Sequence, residues 1–286
     1  MRIANVFYTL VLFCYCSVYS MSIIQEFQTN QHFEIEDLNR LITQGADIDE
    51  QGQEGQTPLH IFCNEQRLDF IEILLEHHAH VGFQDNEGQT PLHIAAYTGD
   101  DEITRRLIYA GAPVNQEDNE GKTALHMAAS YGSREVIEIL LQERADKGIQ
   151  DSNGNTALHA AVHNNRSITI IQPLIGNADY INMHNSDGVT ALHYAAARGN
   201  LDVARLLIEH GAFVNAEDRR HAIPLHEAAY GNHLEMVRLL VNAGAHIQHR
   251  ADQGILPIHL AHINGHNEIV QFLHSRLRRM IMPPAA

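Results

Sequence analysis

Residues 89–100 read QTPLHIAAYTGD, and close copies of this stretch recur along the chain. Counting from Leu59, the equivalent apolar residue returns at Leu92, Leu125, Leu158, Leu192, Leu225 and Ile258. Every step is 33 residues except the 34 between Leu158 and Leu192. A fixed period of that size marks a repeat architecture, and it overrides the one or two domains that length alone would suggest.

One period shows the local physics. In 85–117, DNEGQTPLHIAAYTGDDEITRRLIYAGAPVNQE, Asp85 to Gly88 is a turn signal in which glycine is free to take positive φ. Thr90 is an N-cap, and Pro91 occupies the first helical position, where its missing N–H costs nothing. Leu92, Ile94, Ala95 and Ala96 give a short helix with a small, tightly packing face, ended by Gly99. A second helix is predicted from about Glu102 to Ala110, with Ile103, Leu107 and Ile108 on one face and Gly111 as a left-handed cap. Isolated helices under about 12 residues are marginal in water, so each pair needs its neighbour.

The segments TPLHIAA, TALHMAA, TALHAAV, TALHYAA and IPLHEAA, with followers such as LLIEHGAFVNA, resemble ankyrin repeats over roughly residues 33–274. The resemblance implies an all-α solenoid: antiparallel helix pairs with β-hairpin loops, stacked into a curve whose concave face binds protein. On that frame residues 21–51 form an N-terminal capping repeat. Seven repeats fill 52–274, starting near 52, 85, 118, 151, 185, 218 and 251, and a tail covers 275–286. Too few residues remain outside the repeats for a catalytic domain. Phosphate loops, HExxH and supported Cys–His pairs are absent from the sequence, so the expectation is a non-enzyme without cofactor or metal.

Composition points the same way. The formal charge is -16, from 35 acidic and 19 basic residues. Such an acidic chain repels nucleic acid and anionic membranes; it suits a partly basic protein partner, or simply solubility, and a monomer is expected. With no Trp and few aromatics, a large aromatic core is not expected. Cys14 and Cys16 lie near the start, leaving Cys63 alone in the repeats without a disulfide partner.

Residues 1–20, MRIANVFYTLVLFCYCSVYS, have the layout of a secretory signal peptide: Arg2, an apolar stretch, then small residues before a cut after Ser20. The expectation is a secreted protein that leaves no membrane anchor. Met21 offers a competing cytoplasmic start, which would make the chain an intracellular adaptor, inhibitor or regulatory subunit.

Seven of the 21 histidines, His60, His93, His126, His159, His193, His226 and His259, fall one per repeat. The resemblance makes them hydrogen-bonding links between the capping Thr and neighbouring backbone. His262 and His266 have the i, i+4 spacing of a metal pair, but Gly265 interrupts the helix between them. The resemblance also places Asn115, Asn182 and Asn215 in a loop position that bonds backbone and that some family members hydroxylate. Asn165-Arg166-Ser167 is a glycosylation sequon.

Partners of the family touch the hairpin tips and the exposed end of the first helix. Carried across, the tip positions are Asn86, Glu87, Gln89, Asn119, Glu120, Lys122, Arg219 and Arg220. The helix-end positions are Tyr97, Ser130, Tyr131, His163, Arg198 and Tyr230. The tyrosines have the size and mixed polarity of interface anchors, and Tyr97 and Tyr131 are expected to share one patch. Glu54, Glu87 and Glu120 give an acidic edge that changes sign at Arg219 and Arg220.

The fourth repeat departs most. Pro173 falls inside its predicted second helix, at a cost of about 3 kcal/mol in a regular helix, and the extra residue is placed at Tyr180. A weak joint is expected around 165–182. Asn165 in this repeat, like Gln66, Arg144 and His221 in others, stands where glycine is usual, and Ile223 replaces the capping Thr.

Overall fold

The first helix of each repeat begins where a residue in extended backbone, threonine in the first five, turns into a helix. Thr57, Thr90, Thr123, Thr156 and Thr190 hold φ between -85 and -100 and cap the helices Pro58–Asn64, Pro91–Thr98, Ala124–Tyr131, Ala157–His163 and Ala191–Arg198. Pro224–Tyr230 and Pro257–Ile263 follow the same plan with Ile223 and Leu256 at the cap. Neither has a hydroxyl to offer, so only the backbone half of the cap remains. Second helices run Leu68–Glu76, Asp101–Tyr109, Arg134–Gln142, Leu201–Glu209, Leu234–Asn242 and Asn267–Ile281. The second helix of the 85–117 period is thus Asp101–Tyr109, one residue earlier at each end than the spacing predicts.

The structure, a computed structural model, describes residues 22–281. The signal-peptide reading of residues 1–20, with Cys14 and Cys16, and the tail beyond 281 lie outside the described residues. Two compact units divide between Asn119 and Glu120.

In the first unit two helices, Ile23–Thr29 and Ile35–Thr43, precede the repeats. Ser22 caps the first, and Glu50 Oε1 accepts from both the Ser22 hydroxyl and the Ile24 N–H. The core combines Ile23, Leu38, Leu41, Leu59, Ile71, Leu74, Leu92, Ile103 and Leu107. It also holds an aromatic cluster that overturns the expectation from composition. Phe27 packs edge-on to Phe33, Phe62 and Phe70 at centroid distances of 5.5, 5.0 and 6.4 Å, and Phe62 meets Phe70 at 4.8 Å. Few aromatics suffice because four of them converge at one place. The Arg67 guanidinium covers the Phe70 ring at 3.9 Å. Cys63 is buried among these groups, which pushes its thiol pKa up and keeps it unreactive.

The second unit carries the remaining repeats, with Leu125, Val136, Ile137, Leu140, Leu158, Leu192, Val203, Leu207, Leu225, Val237, Leu240 and Ile269 inside. Its fourth repeat lacks a regular second helix. One α-turn, Ile168–Ile171, passes into a 3-10 turn, Gln172–Leu174, at Pro173, and a separate turn, Ala178–Ile181, contains Tyr180. Proline therefore ends the helix rather than kinking it. Ile170, Ile171, Leu174 and Ile181 are still buried. The carbonyls released by the break find a donor: Lys147 Nζ donates to Pro173 O at 2.8 Å and Ile175 O at 3.3 Å. Burial holds this amine below the ordinary lysine range.

Four of the non-glycine left-handed positions were expected from the sequence, whereas His78, Asn232 and Gln253, at φ 64, 62 and 58, were not. Gln66, Arg144, Asn165 and His221 have φ of 54, 63, 52 and 55, beside glycines such as Gly88, Gly99 and Gly111 at 78, 78 and 94. These residues keep the turn conformation and bear its strain. The projecting loops are paired turns; among the described residues the single isolated β-bridge joins His184 and Thr190.

Candidate partner-binding surface

The projecting loops are built from the backbone outward. In four of the turns a carboxylate or amide at the start accepts the N–H groups two and four residues on. Asp85 Oδ1 takes Glu87 and Gln89, Asp151 takes Asn153 and Asn155, Asn185 takes Asp187 and Val189, and Asp218 takes Arg220 and Ala222. Adjacent tips are then tied by main chain. In the first unit Asn86 N–H donates to Glu54 O and Asn119 N–H to Glu87 O, both at 3.0 Å. In the second, Ser152, Ser186, Arg219 and Asp252 donate to Glu120, Asn153, Asp187 and Arg220. The tips are therefore rigid platforms rather than free loops.

The repeated histidines supply the other tie. His159 Nδ1 accepts from the Thr156 N–H at 3.2 Å, so its hydrogen sits on Nε2, which donates to Val189 O in the next repeat at 3.2 Å. His60, His126, His193 and His226 bridge to Gln89, Asn155, Ala222 and Ile255 in the same way. Burial lowers the pKa of His60, His193 and His226, and takes His159 to about 4. These imidazoles stay neutral. His266 is likewise occupied, its Nε2 donating to Tyr230 O at 3.0 Å. Among the described residues no three potential metal ligands converge.

Asn182 and Asn215 bridge successive loops. Asn182 donates to Gly211 O and accepts from the Phe213 N–H; Asn215 does the same with Gly244 O and the His246 N–H. Asn165 is exposed and accepts from Asn200 Nδ2 at 2.8 Å.

The candidate contact residues fall into distinct settings. In the first unit Asn86 and Asn119 are exposed, yet each side chain donates to the preceding tip, at Gln53 O and Asn86 O. Glu87 is exposed, Gln89 is half-buried, and Tyr97 stands 46% exposed at the end of its helix. In the second unit Glu120 pairs with Lys122. Ser130 is half-buried and its carbonyl accepts from Arg166 Nε at 2.7 Å. Tyr131 and Arg198 are exposed, and His163 packs edge-on to Tyr194 at 4.9 Å. Tyr97 and Tyr131 belong to different units, so their shared patch stays an expectation. The sign change also reads differently in detail: Arg219 and Arg220 are exposed, but Arg220 is engaged by Asp218 and Glu227.

One concavity gathers two of these residues with others the sequence did not single out. A groove of about 510 Å³ is lined by Arg220, His226, Glu227, Tyr230, Asp252, Ile255 and Leu260. Tyr230 is 58% exposed at its edge. Arg220 Nη2 lies 3.2 Å from Glu227 Oε1 and 3.2 Å from the buried Asp218 Oδ2. Burial raises the pKa of Glu227, with Arg220 opposing. Glu227 and Asp252 escaped sequence reasoning because neither belongs to the recurring motif, and only the groove brings them together.

A family sequence model described as ankyrin repeats (3 copies) matches six overlapping stretches, residues 29–118, 77–151, 97–180, 125–218, 165–251 and 218–278. Among solved structures the chain is similar to the crystal structure of the ankyrin repeat domain of Bcl-3, described as a unique member of the IkappaB protein family. The identity is 29% and the TM-score 0.65, covering 77% of this chain and 100% of that one. No curated protein sequence matches. Period, capping histidines, paired helices and this coverage agree: the chain belongs to the ankyrin-repeat family, an all-α scaffold for protein–protein interaction.

Proposed function

We propose that this is an exported, non-catalytic ankyrin protein that binds one protein partner through its loop tips and first-helix ends. The carrying observation is the exposure of large side chains on otherwise buried helices. Tyr97, Tyr131 and Tyr230 are 46, 52 and 58% exposed at the ends of helices whose other apolar residues are buried. Tyrosine presents much contact area at small entropic cost, and here rigid helices hold it ready. No described helix is long and apolar enough to cross a membrane.

Capture with the purified chain, followed by mass spectrometry, gives the direct test. A partner retained by the native protein is expected to be lost from the Tyr97→Ala, Tyr131→Ala double variant; equal retention by both overturns the reading. The layout of residues 1–20 supports export. Cells expressing residues 1–286 are expected to release the protein into the medium, and cells expressing 21–286 to keep it. Retention of both makes Met21 the working start and the protein an intracellular adaptor.

A further inference from the structure

We infer that the groove between the sixth and seventh repeats is an arginine-recognition pocket for an extended segment of the partner protein. This deepens the scaffold reading and rests on it. Three observations define the occupant.

The first is charge. The groove is lined by two carboxylates, Glu227 and Asp252, against a single cation, Arg220. His226 adds none, because its Nδ1 accepts from the Ile223 N–H and its Nε2 bonds Ile255 O. Arg220 is also shared: the same Nη2 reaches Asp218, which is buried under the tip and holds the loop by accepting the Arg220 and Ala222 N–H groups. Asp252 makes no ion pair within 4 Å among the described residues, although its charge helps to raise the pKa of the neighbouring His221, and it is exposed at the tip of the seventh repeat. Among the lining residues carboxylates therefore outnumber cations by one.

The second is depth. Glu227 is three-quarters covered, with a side-chain exposure of 25%. A carboxylate so placed gains more from an incoming cation than one on the open surface, because less water competes for it.

The third is shape. Tyr230 offers an exposed aromatic face, while Ile255 and Leu260 supply apolar wall. A planar guanidinium stacks on aromatic rings and accepts two carboxylate partners, and its methylene stem covers aliphatic surface. Lysine has a compact, strongly hydrated head and uses this combination poorly. The rigid tips on both sides, tied by the Asp252 N–H to Arg220 O bond, fit an extended segment rather than a helix.

The test selects twelve-residue peptides from a random displayed library on the full purified chain. The expected result is arginine at one fixed position. Replacing it with citrulline, its neutral isostere, is expected to weaken binding about tenfold, and Glu227→Gln to weaken it similarly, while the distant Glu209→Gln leaves it unchanged. Circular dichroism and the unfolding midpoint report that each variant is folded. Tyr230→Ala provides a second, uncharged route to the same loss. Selected peptides without a fixed arginine, no selected peptides at all, or affinity within about twofold for Glu227→Gln overturn the inference. Enrichment of acidic residues would instead assign Arg220 as the recognising group. If the arginine pocket fails while Tyr97→Ala, Tyr131→Ala still abolishes partner capture, the scaffold reading stands without it.

Discussion

The fourth and fifth repeats start alike and finish differently. Thr156 and Thr190 both engage their histidines, at 2.8 and 2.9 Å, and both histidines cross to the next repeat, at 3.2 and 3.1 Å. Beyond the first helix the fifth repeat forms Leu201–Glu209, whose start is capped by Asn200, whereas the fourth breaks into two single α-turns and a 3-10 turn. The first half of a repeat is thus fixed by short-range polar bonds that admit few alternatives. The second half has only to bury an apolar face, and it tolerates a proline provided the exposed carbonyls find a donor.

The largest expected effect tests the shared half. Burial holds the folded pKa of His60, His159, His193 and His226 below 6.5, so in acid the unfolded chain takes up protons first. Their stabilisation is complete above about pH 6.5 and is lost as pH falls through the folded values. For His159, with a folded value of about 4, the loss between those limits is ~3 kcal/mol. The urea midpoint is expected to fall steeply over this window. A midpoint unchanged from neutral pH to the acid end would mean that these imidazoles are not buried in the neutral form. His221 has the opposite sign, since Glu217 raises its pKa and its contribution fades as pH rises.

Much of this was readable beforehand, for a physical reason. Threonine, proline, histidine and glycine act on residues three or four away, so their pattern appears directly in the sequence. Even the replacements were legible: Gln66, Arg144, Asn165 and His221 stand where the frame demands positive φ, and they adopt it. What stayed hidden depends on packing between distant residues. Phe27 and Phe70 meet only because two helices ahead of the repeats fold onto the first pair. Lys147 precedes Pro173 by most of a repeat, and nothing in its own neighbourhood announces the partnership. The candidate surface divides similarly. Tyr97, Tyr131 and Tyr230 could be placed at helix ends from the frame alone, whereas the Arg220–Glu227 pair and its groove required the fold.

The middle-sized effect concerns that lysine. Lys147→Met removes the donor to two carbonyls while keeping the aliphatic stem, and is expected to cost about 1.5 kcal/mol in urea unfolding. Lys122→Met, which breaks a surface pair with Glu120, is expected to cost less than about 0.5 kcal/mol. Hydrogen exchange gives the local readout. Amides of 168–182 should exchange faster than those of Leu201–Glu209 in the native chain, and faster still in Lys147→Met. Uniform protection across both repeats would remove the joint, and an inert Lys147→Met would remove its staple.

The smallest effect separates backbone strain from packing. Gly211, at φ 91, closes the second helix of the fifth repeat, and a methyl group there would meet nothing within 4 Å. Gly211→Ala therefore isolates the cost of a side chain in left-handed backbone, expected near 1 kcal/mol. Asn165, at φ 52, already bears a side chain in the corresponding conformation between the two halves of the fourth repeat. Asparagine tolerates that region better than most residues, and its Oδ1 accepts from Asn200. Asn165→Gly relieves strain but gives up this bond, so its net change should be only a few tenths of a kcal/mol. A neutral Gly211→Ala would show that these turns are set by tertiary packing, and that glycine marks the frame without sustaining it.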